Sequence, residues 1–184
     1  MCGECGRSGA TNLGSKNTPS DLKIFSNFHS AGFRMRVALL LRIVSVLAFM
    51  HGLLHTIGGV FGGAAPGAQL DTVTVMKANR FVAMGVTRSY WDYYFGYGLM
   101  TTVNFLVQTF VFWQLATIAK TDPEKTRPIV ATFCVGYLVS AVVAWRYFFA
   151  GPAVLEVVMA GVLFAAWLAA KREAEGLVTT GLVG

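Results

Sequence analysis

Four long apolar runs, Val37 to Phe61, Tyr93 to Ala119, Ile129 to Phe149 and Ala153 to Ala170, constrain this chain more than any other feature. Each can cross a hydrocarbon core of about 30 Å, which takes roughly 20 helical residues and about 17 at the least. Only helices and closed barrels satisfy their own backbone groups in lipid. The alternating ten-residue strands of a transmembrane barrel are missing from the sequence. Composition agrees: 13% of residues are charged, against about 25% in a soluble domain, and the mean hydropathy is +0.57. The predicted fold class is all-α, a four-helix transmembrane bundle over residues 37–170 with a disordered tail over 1–36 and a short tail over 171–184.

The boundaries carry their own chemistry. Pro128 and Pro152 stand where a helix's first turn needs no N–H. Ser89-Tyr90-Trp91-Asp92 fits a capping box, in which the hydroxyl caps the helix start and a carboxylate three residues on reaches back. Helix two is therefore expected to begin near Tyr90.

Basic residues collect on the cytoplasmic side of short-looped membrane proteins. With the N-terminus inside, Arg7, Lys16, Lys23, Arg34, Arg36, Arg42, Lys120, Lys125, Arg127, Lys171 and Arg172 are cytoplasmic, eleven of the fifteen Lys and Arg. An even number of spans with both termini cytoplasmic follows. The +6 balance lies scattered at membrane edges rather than on one face, which points to anionic lipid headgroups and not to nucleic acid. A cleaved signal is a poor account of the first run. It exceeds the usual 7 to 15 apolar residues and carries His51 and His55.

The first 36 residues are rich in Gly, Ser and Asn, and Met35 is an alternative start. A single Cys2-Gly3-Glu4-Cys5 pair is at most half a zinc site, and Cys134, deep in the third run, behaves as a small apolar side chain. No disulfide framework is implied. The segment from Ala64 to Ser89 is too long for a turn. It is expected to hold a short surface helix from Asp71 to Met84, capped by Asp71 and ended by Gly85.

Polar side chains inside a bilayer are expensive, so each is a candidate for function or for tying helices together. His51 and His55 share one helix face about 6 Å apart along the axis. They can supply two metal ligands or a proton relay, or simply bond to neighbouring helices. A bis-histidine haem needs ligands from different helices, and no other histidine lies in a span, so that cofactor is not expected and no other is named. Tyr93, Tyr97, Thr101, Asn104 and Gln108 draw a polar stripe down helix two that is expected to face protein or a cavity. Arg146 and Glu156 lie five residues either side of Gly151, so a tight turn at Gly151-Pro152 would make them an ion pair. Arg88 and Asp92 would rim the same region. His55, Tyr97, Arg146 and Glu156 each fall roughly 7 to 9 Å inside one end of their helices. The predicted ligand-binding set is thus His55, Asp92, Tyr97, Arg146 and Glu156, with small residues such as Gly52, Gly58, Gly136 and Gly161 allowing close packing.

The aromatic block from Tyr90 to Tyr97, opened by Ser89-Tyr90-Trp91-Asp92, together with His51-Gly52-Leu53-Leu54-His55, resembles a set of uncharacterised small four-helix bacterial integral membrane proteins. The likeness covers roughly Met35 to Ala170 and implies the fold and a bacterial plasma-membrane location, with no activity attached. Three functional expectations stand side by side. One is a binding protein for a lipid-like or amphipathic small molecule in an outer-leaflet pocket. Another is a metal- or quinone-dependent redox enzyme using His51, His55 and a carboxylate from Asp92 or Glu156. The third is a structural or assembly subunit, with a homo-oligomer or membrane partner. Phosphate-loop and hydrolase signatures are absent, and the broken helices and repeated halves of a carrier are missing.

Overall fold

The computed structural model describes residues 19–179. Five helices and one hairpin follow in order: α1 (Pro19–Leu54), a π-helical turn (His55–Val60), α2 (Ala68–Ala78), β1 (Arg80–Ala83), β2 (Val86–Ser89), α3 (Tyr90–Ile118), a 3-10 turn (Glu124–Thr126), α4 (Arg127–Tyr147) and α5 (Ala150–Thr179). Four helical stretches are long and apolar enough to cross a membrane: Arg34–Val60, Tyr90–Ile118, Glu124–Tyr147 and Ala150–Arg172. They match the four apolar runs within a few residues.

Two expectations outside the spans are corrected. The backbone is helical from Pro19, so the disordered tail expected through residue 36 gives way to helix from that point. Proline suits a first helical turn, and Ser20 and Asp21 follow it. Residues 1–18, with Cys2 and Cys5, lie outside the described residues. The second correction is that the chain is not purely α-helical. The surface helix runs Ala68–Ala78, not Asp71 to Met84, and a two-stranded antiparallel hairpin follows with Arg80 opposite Ser89 and Ala83 opposite Val86. The reason lies at Met84-Gly85, whose φ values of 50° and 80° form the doubly positive two-residue turn that matches strand twist. Gly85 closes a hairpin, not a helix.

The spans run up and down. Antiparallel packing of α1 on α3 is fixed by Ser45 Oγ donating to the Thr109 carbonyl at 2.8 Å, Thr56 bonding Thr102 at 2.9 Å, and the His55 ring reaching the Gly98 carbonyl. Cys134 Sγ donates to the Ala160 carbonyl at 3.4 Å between α4 and α5. Between α3 and α4 the ring of Phe112 meets Phe133 and Tyr137, and the Tyr137 hydroxyl donates to Gln108 Oε1. One end of the bundle therefore gathers the start of the first span, the α3–α4 loop and the end of the fourth. We call it the tail end, and the other the hairpin end. Asp122 in the loop feels the charge of Arg34, and its carboxyl is held below the ordinary carboxylate range chiefly by its hydrogen bond to Lys125.

In a bilayer, where lipid is as apolar as leucine, such a bundle holds by close packing and interhelical hydrogen bonds, not by a hydrophobic effect. The buried cluster sits toward the tail end: Val37, Leu41, Val44 and Ala48 of α1, Phe112 and Ala116 of α3, Val130 and Cys134 of α4, and Met159, Leu163 and Ala166 of α5. The spacing 37, 41, 44, 48 is the narrow seam of a helix packed on two neighbours. At Gly52 a Cβ would stand 2.8 Å from the Phe105 Cβ, and at Gly98 one would stand 3.0 Å from a Val60 methyl. Glycine at these two positions sets how closely α1 and α3 approach.

Candidate functional site

The α4–α5 turn decides which polar groups meet. It falls at Phe148 and Phe149, between the end of α4 and the start of α5, and Gly151-Pro152 lies inside the first turn of α5. The expected ion pair is thereby overturned. Arg146 sits beside the turn, exposed, with its guanidinium 5.4 Å from the centre of the Tyr147 ring. Glu156 lies two turns inside α5 and is 9% exposed. Among the described residues no ion pair joins them. Because Cys134 is level with Ala160, Glu156 is level with Tyr137, about 13 Å along the axis from Arg146 at 1.5 Å per residue. A symmetric turn at Gly151 would have put them together, but helix termination three residues earlier slid the register.

The same register dissolves the single polar level. Tyr137 pairs with Gln108, ten residues beyond Gly98, the partner of His55. Glu156 therefore lies roughly 15 Å deeper than His55. The start of α3 stands past the α4–α5 turn, so depths counted from each helix's own end do not align. His55, Asp92, Tyr97, Arg146 and Glu156 do not line one pocket; they divide among four places.

The first place is the α1–α3 contact. A carbonyl can only accept, so His55 Nε2–H donates to Gly98 at 3.1 Å. This fixes the tautomer and leaves Nδ1 as acceptor in the neutral ring. The π-helical turn is closed by Phe61 N–H donating to the Thr56 carbonyl. Its wider girth lets two successive side chains, His55 and Thr56, both reach α3. His51 is buried against Phe105, ring centres 4.3 Å apart, and its Nδ1 has no hydrogen-bond partner. Among the described residues no three His, Cys, Asp or Glu side chains come together as metal ligands, so the metal-dependent reading lacks a ligand set here.

The second place is the start of α3. Ser89 Oγ accepts from Asp92 N–H at 3.1 Å, and Asp92 Oδ2 accepts from Ser89 N–H at 2.7 Å, which is the capping box read from the sequence. Asp92 and Tyr97 do share a surface. With Arg88, Tyr93, Gly96 and Met100 they line an open groove of about 390 Å³ on α3's own face. Beside it Phe81 packs against Tyr90 and Tyr93, while on the other side of α3 Trp91 packs against Tyr94 and Phe95, with Lys77 over Trp91 at 4.9 Å. Helix α2 and the hairpin thus pack onto the aromatic block.

The third place holds Arg146, apart from the rest. The fourth is the interior of the bundle, where Gln108, Tyr137 and Glu156 meet at one level. One carboxylate oxygen of Glu156 is fully buried without a hydrogen-bond partner among the described residues. On the hairpin side of this level, among the described residues, no hydrogen bond, ion pair or ring contact links α3 to α4. The edge between these helices is open there. Tyr137 was absent from the sequence candidates, because within a span it reads as one more apolar aromatic. Its spacing with the buried Val130, Cys134 and Ala141 carries a trace of its inward position. The polar stripe of α3 also departs from expectation: Gln108 turns toward α4, while Tyr93, Tyr97 and Asn104 are exposed.

Fold and site together define a helical bundle with four helices long and apolar enough to cross a membrane and a buried carboxylate in its interior. Compared with known proteins, the chain matches no family model, no curated protein and no solved structure.

Proposed function

We propose that this chain is an integral protein of a bacterial plasma membrane, with both termini cytoplasmic, that binds a lipid-like or amphipathic small molecule between α3 and α4. The bacterial location leans on the resemblance carried by Ser89-Tyr90-Trp91-Asp92 and the His51–His55 segment. The orientation leans on Arg34, Arg36, Arg42, Lys120, Lys125, Arg127, Lys171 and Arg172 at the tail end against Lys77, Arg80, Arg88 and Arg146 at the other.

One observation carries the binding reading. Glu156 is nine-tenths buried inside a span, with a carboxylate oxygen that nothing in the described chain satisfies. An ionisable group at membrane depth costs about 2.5–3.5 kcal/mol on insertion scales, and an orphaned polar atom adds to that. A head group that donates hydrogen bonds or carries positive charge, entering by the open α3–α4 edge, offsets this cost at the Gln108–Tyr137–Glu156 level. Its apolar part then lies against lipid-facing α3 and α4. Of the five sequence candidates, Glu156 holds the central role here and Arg146 holds none.

The test is to purify wild type, Glu156→Gln and Arg146→Ala in mild detergent, extract each with organic solvent and quantify the retained amphiphiles by mass spectrometry. Glu156→Gln is expected to lose most of the retained molecule and Arg146→Ala to keep it. Full retention by Glu156→Gln overturns the reading. A second reading, an assembly subunit, rests on a separate observation, the exposed polar edge of α3.

A further inference from the structure

Of the four spans, Tyr90–Ile118 is the least apolar, with a mean hydropathy of 1.3, against 2.2 for Arg34–Val60. Yet only 22% of its window is buried in the bundle, against 44% for Arg34–Val60. A bilayer favours the reverse, since the helix with the most polar surface is the one that gains most from protein neighbours. Glu124–Tyr147 is buried to the same 22% but is more apolar, at 1.9, so α3 is the span that a further covering surface would favour most.

The exposed residues say where. Tyr93, Tyr97, Met100, Asn104 and Val107 are exposed and spaced by four, three, four and three, a run that Val111, half-buried against the chain's own core, ends, and this is the repeat of a two-stranded helical seam. At 100° per residue they fall within about 40° of one line. Tyr97 is 67% exposed, Met100 63% and Val107 53%, and Asn104 is exposed as well. The α1-facing residues Phe105, Phe112 and Ala116 lie well round the helix from this line. Opposite them, Leu99, Leu106 and Phe110 form an exposed face that is wholly apolar and suited to lipid.

We infer that α3 pairs in parallel with α3 of a second copy of this chain along the Tyr93–Val107 seam. The occupant follows from self-complementarity. An amide is both donor and acceptor, so Asn104 satisfies its own counterpart across a two-fold axis, the arrangement by which one asparagine in an apolar seam sets register and pairing. At the head of the seam Arg88 and Asp92 line one groove. The same axis brings the cation of each copy opposite the anion of the other. Gly96 stands in that groove, and a Cβ there would meet nothing within 4 Å, leaving a notch for the partner's tyrosine rings. This pairing is independent of any ligand at Glu156.

Disulfide trapping in native membranes tests it, in a background where Cys2, Cys5 and Cys134 are serine. Single cysteines replace Tyr97, Met100, Asn104 and Val107 on the seam, and Leu99, Leu106 and Phe110 on the lipid-suited face. Seam positions are expected to trap a dimer at least several-fold more efficiently than the other face, and Asn104→Leu to lower the trapping at Met100→Cys. Equal trapping on both faces, a maximum on the Leu99 face, or adducts only to a protein of different mass overturns the inference. If Asn104→Leu fails to accumulate, the positional pattern of the cysteine scan still decides.

Discussion

Replacing Gly52 by alanine probes the geometry that positions every α1–α3 contact. The added Cβ would stand 2.8 Å from the Phe105 Cβ, which is the root of the ring side chain and cannot rotate away. The helices must separate by roughly 0.6 Å to restore van der Waals contact. That shift lengthens the 3.1 Å bond from His55 to Gly98 and the 2.9 Å bond between Thr56 and Thr102 to the limit of hydrogen bonding. Overpacking costs about 1–3 kcal/mol, and two interhelical bonds add about 0.6 kcal/mol each. Gly52→Ala is therefore expected to lower the unfolding free energy by roughly 2–4 kcal/mol, read by titrating purified protein from mild detergent into SDS. Phe105→Ala keeps its Cβ and should not rescue the variant. Gly98→Ala meets only a Val60 methyl at 3.0 Å, so it should cost less and be relieved by Val60→Ala. A Gly52→Ala protein within about 0.5 kcal/mol of wild type, near the scatter of surface substitutions, would refute this account of the α1–α3 distance.

Two further outcomes test the elements around the hairpin end. Ser89→Ala removes the acceptor for Asp92 N–H at a buried position and should destabilise the start of α3 by about 1 kcal/mol, seen as faster hydrogen exchange at residues 90–93. Unchanged exchange would mean that the carboxylate half of the box suffices. Met84 holds φ at 50°, a conformation that costs an ordinary L residue about 1–2 kcal/mol, whereas Asn-Gly is the preferred pair for this turn. Met84→Asn should protect the Ala83 and Val86 amides several-fold, and no gain would show that the Met84 side chain contributes as much as the backbone strain removes.

The sequence carried the four spans because run length and apolarity are set by bilayer thickness, independent of how the helices meet. It also carried the Ser89–Asp92 capping box, which depends on residues three apart. What it did not carry is relative depth. The depths of His55 and Tyr97 could be counted along their own helices, but aligning them with Glu156 required knowing that α3 stands past the α4–α5 turn, a tertiary property. Arg146 and Glu156 fail for a related reason: Gly151-Pro152 reads as a turn, yet proline fits a first helical turn equally well, and the chain turns at Phe148 and Phe149. The hairpin escaped notice because Met84-Gly85 departs from the Asn-Gly signature, and only glycine's tolerance of positive φ hinted at it. Tyr137 was missed because an aromatic inside a span shows its hydroxyl only once a partner such as Gln108 is known.

The distribution of interhelical bonds gives the bundle unequal seams. Between α1 and α3, Ser45, His55 and Thr56 all bond across, and Gly52 and Gly98 bring the backbones close. Between α4 and α5 the short turn ties the helices and Cys134 adds a weak bond. Between α3 and α4 the Tyr137–Gln108 bond stands nearest the hairpin end, with the Phe112 ring contacts below it. Since apolar contact is nearly as favourable with lipid as with protein, the α3–α4 edge is, of these three seams, the one held by the fewest ties. Most of the buried cluster lies toward the tail end, although Tyr137 and Phe112 at this edge belong to it. Glu156 is level with the last bond to be crossed. On the reading proposed above, a molecule entering sideways from the bilayer would exchange the Tyr137–Gln108 bond for its own to meet the carboxylate, and would leave the contacts of Val37, Leu41, Val130 and Leu163 in place.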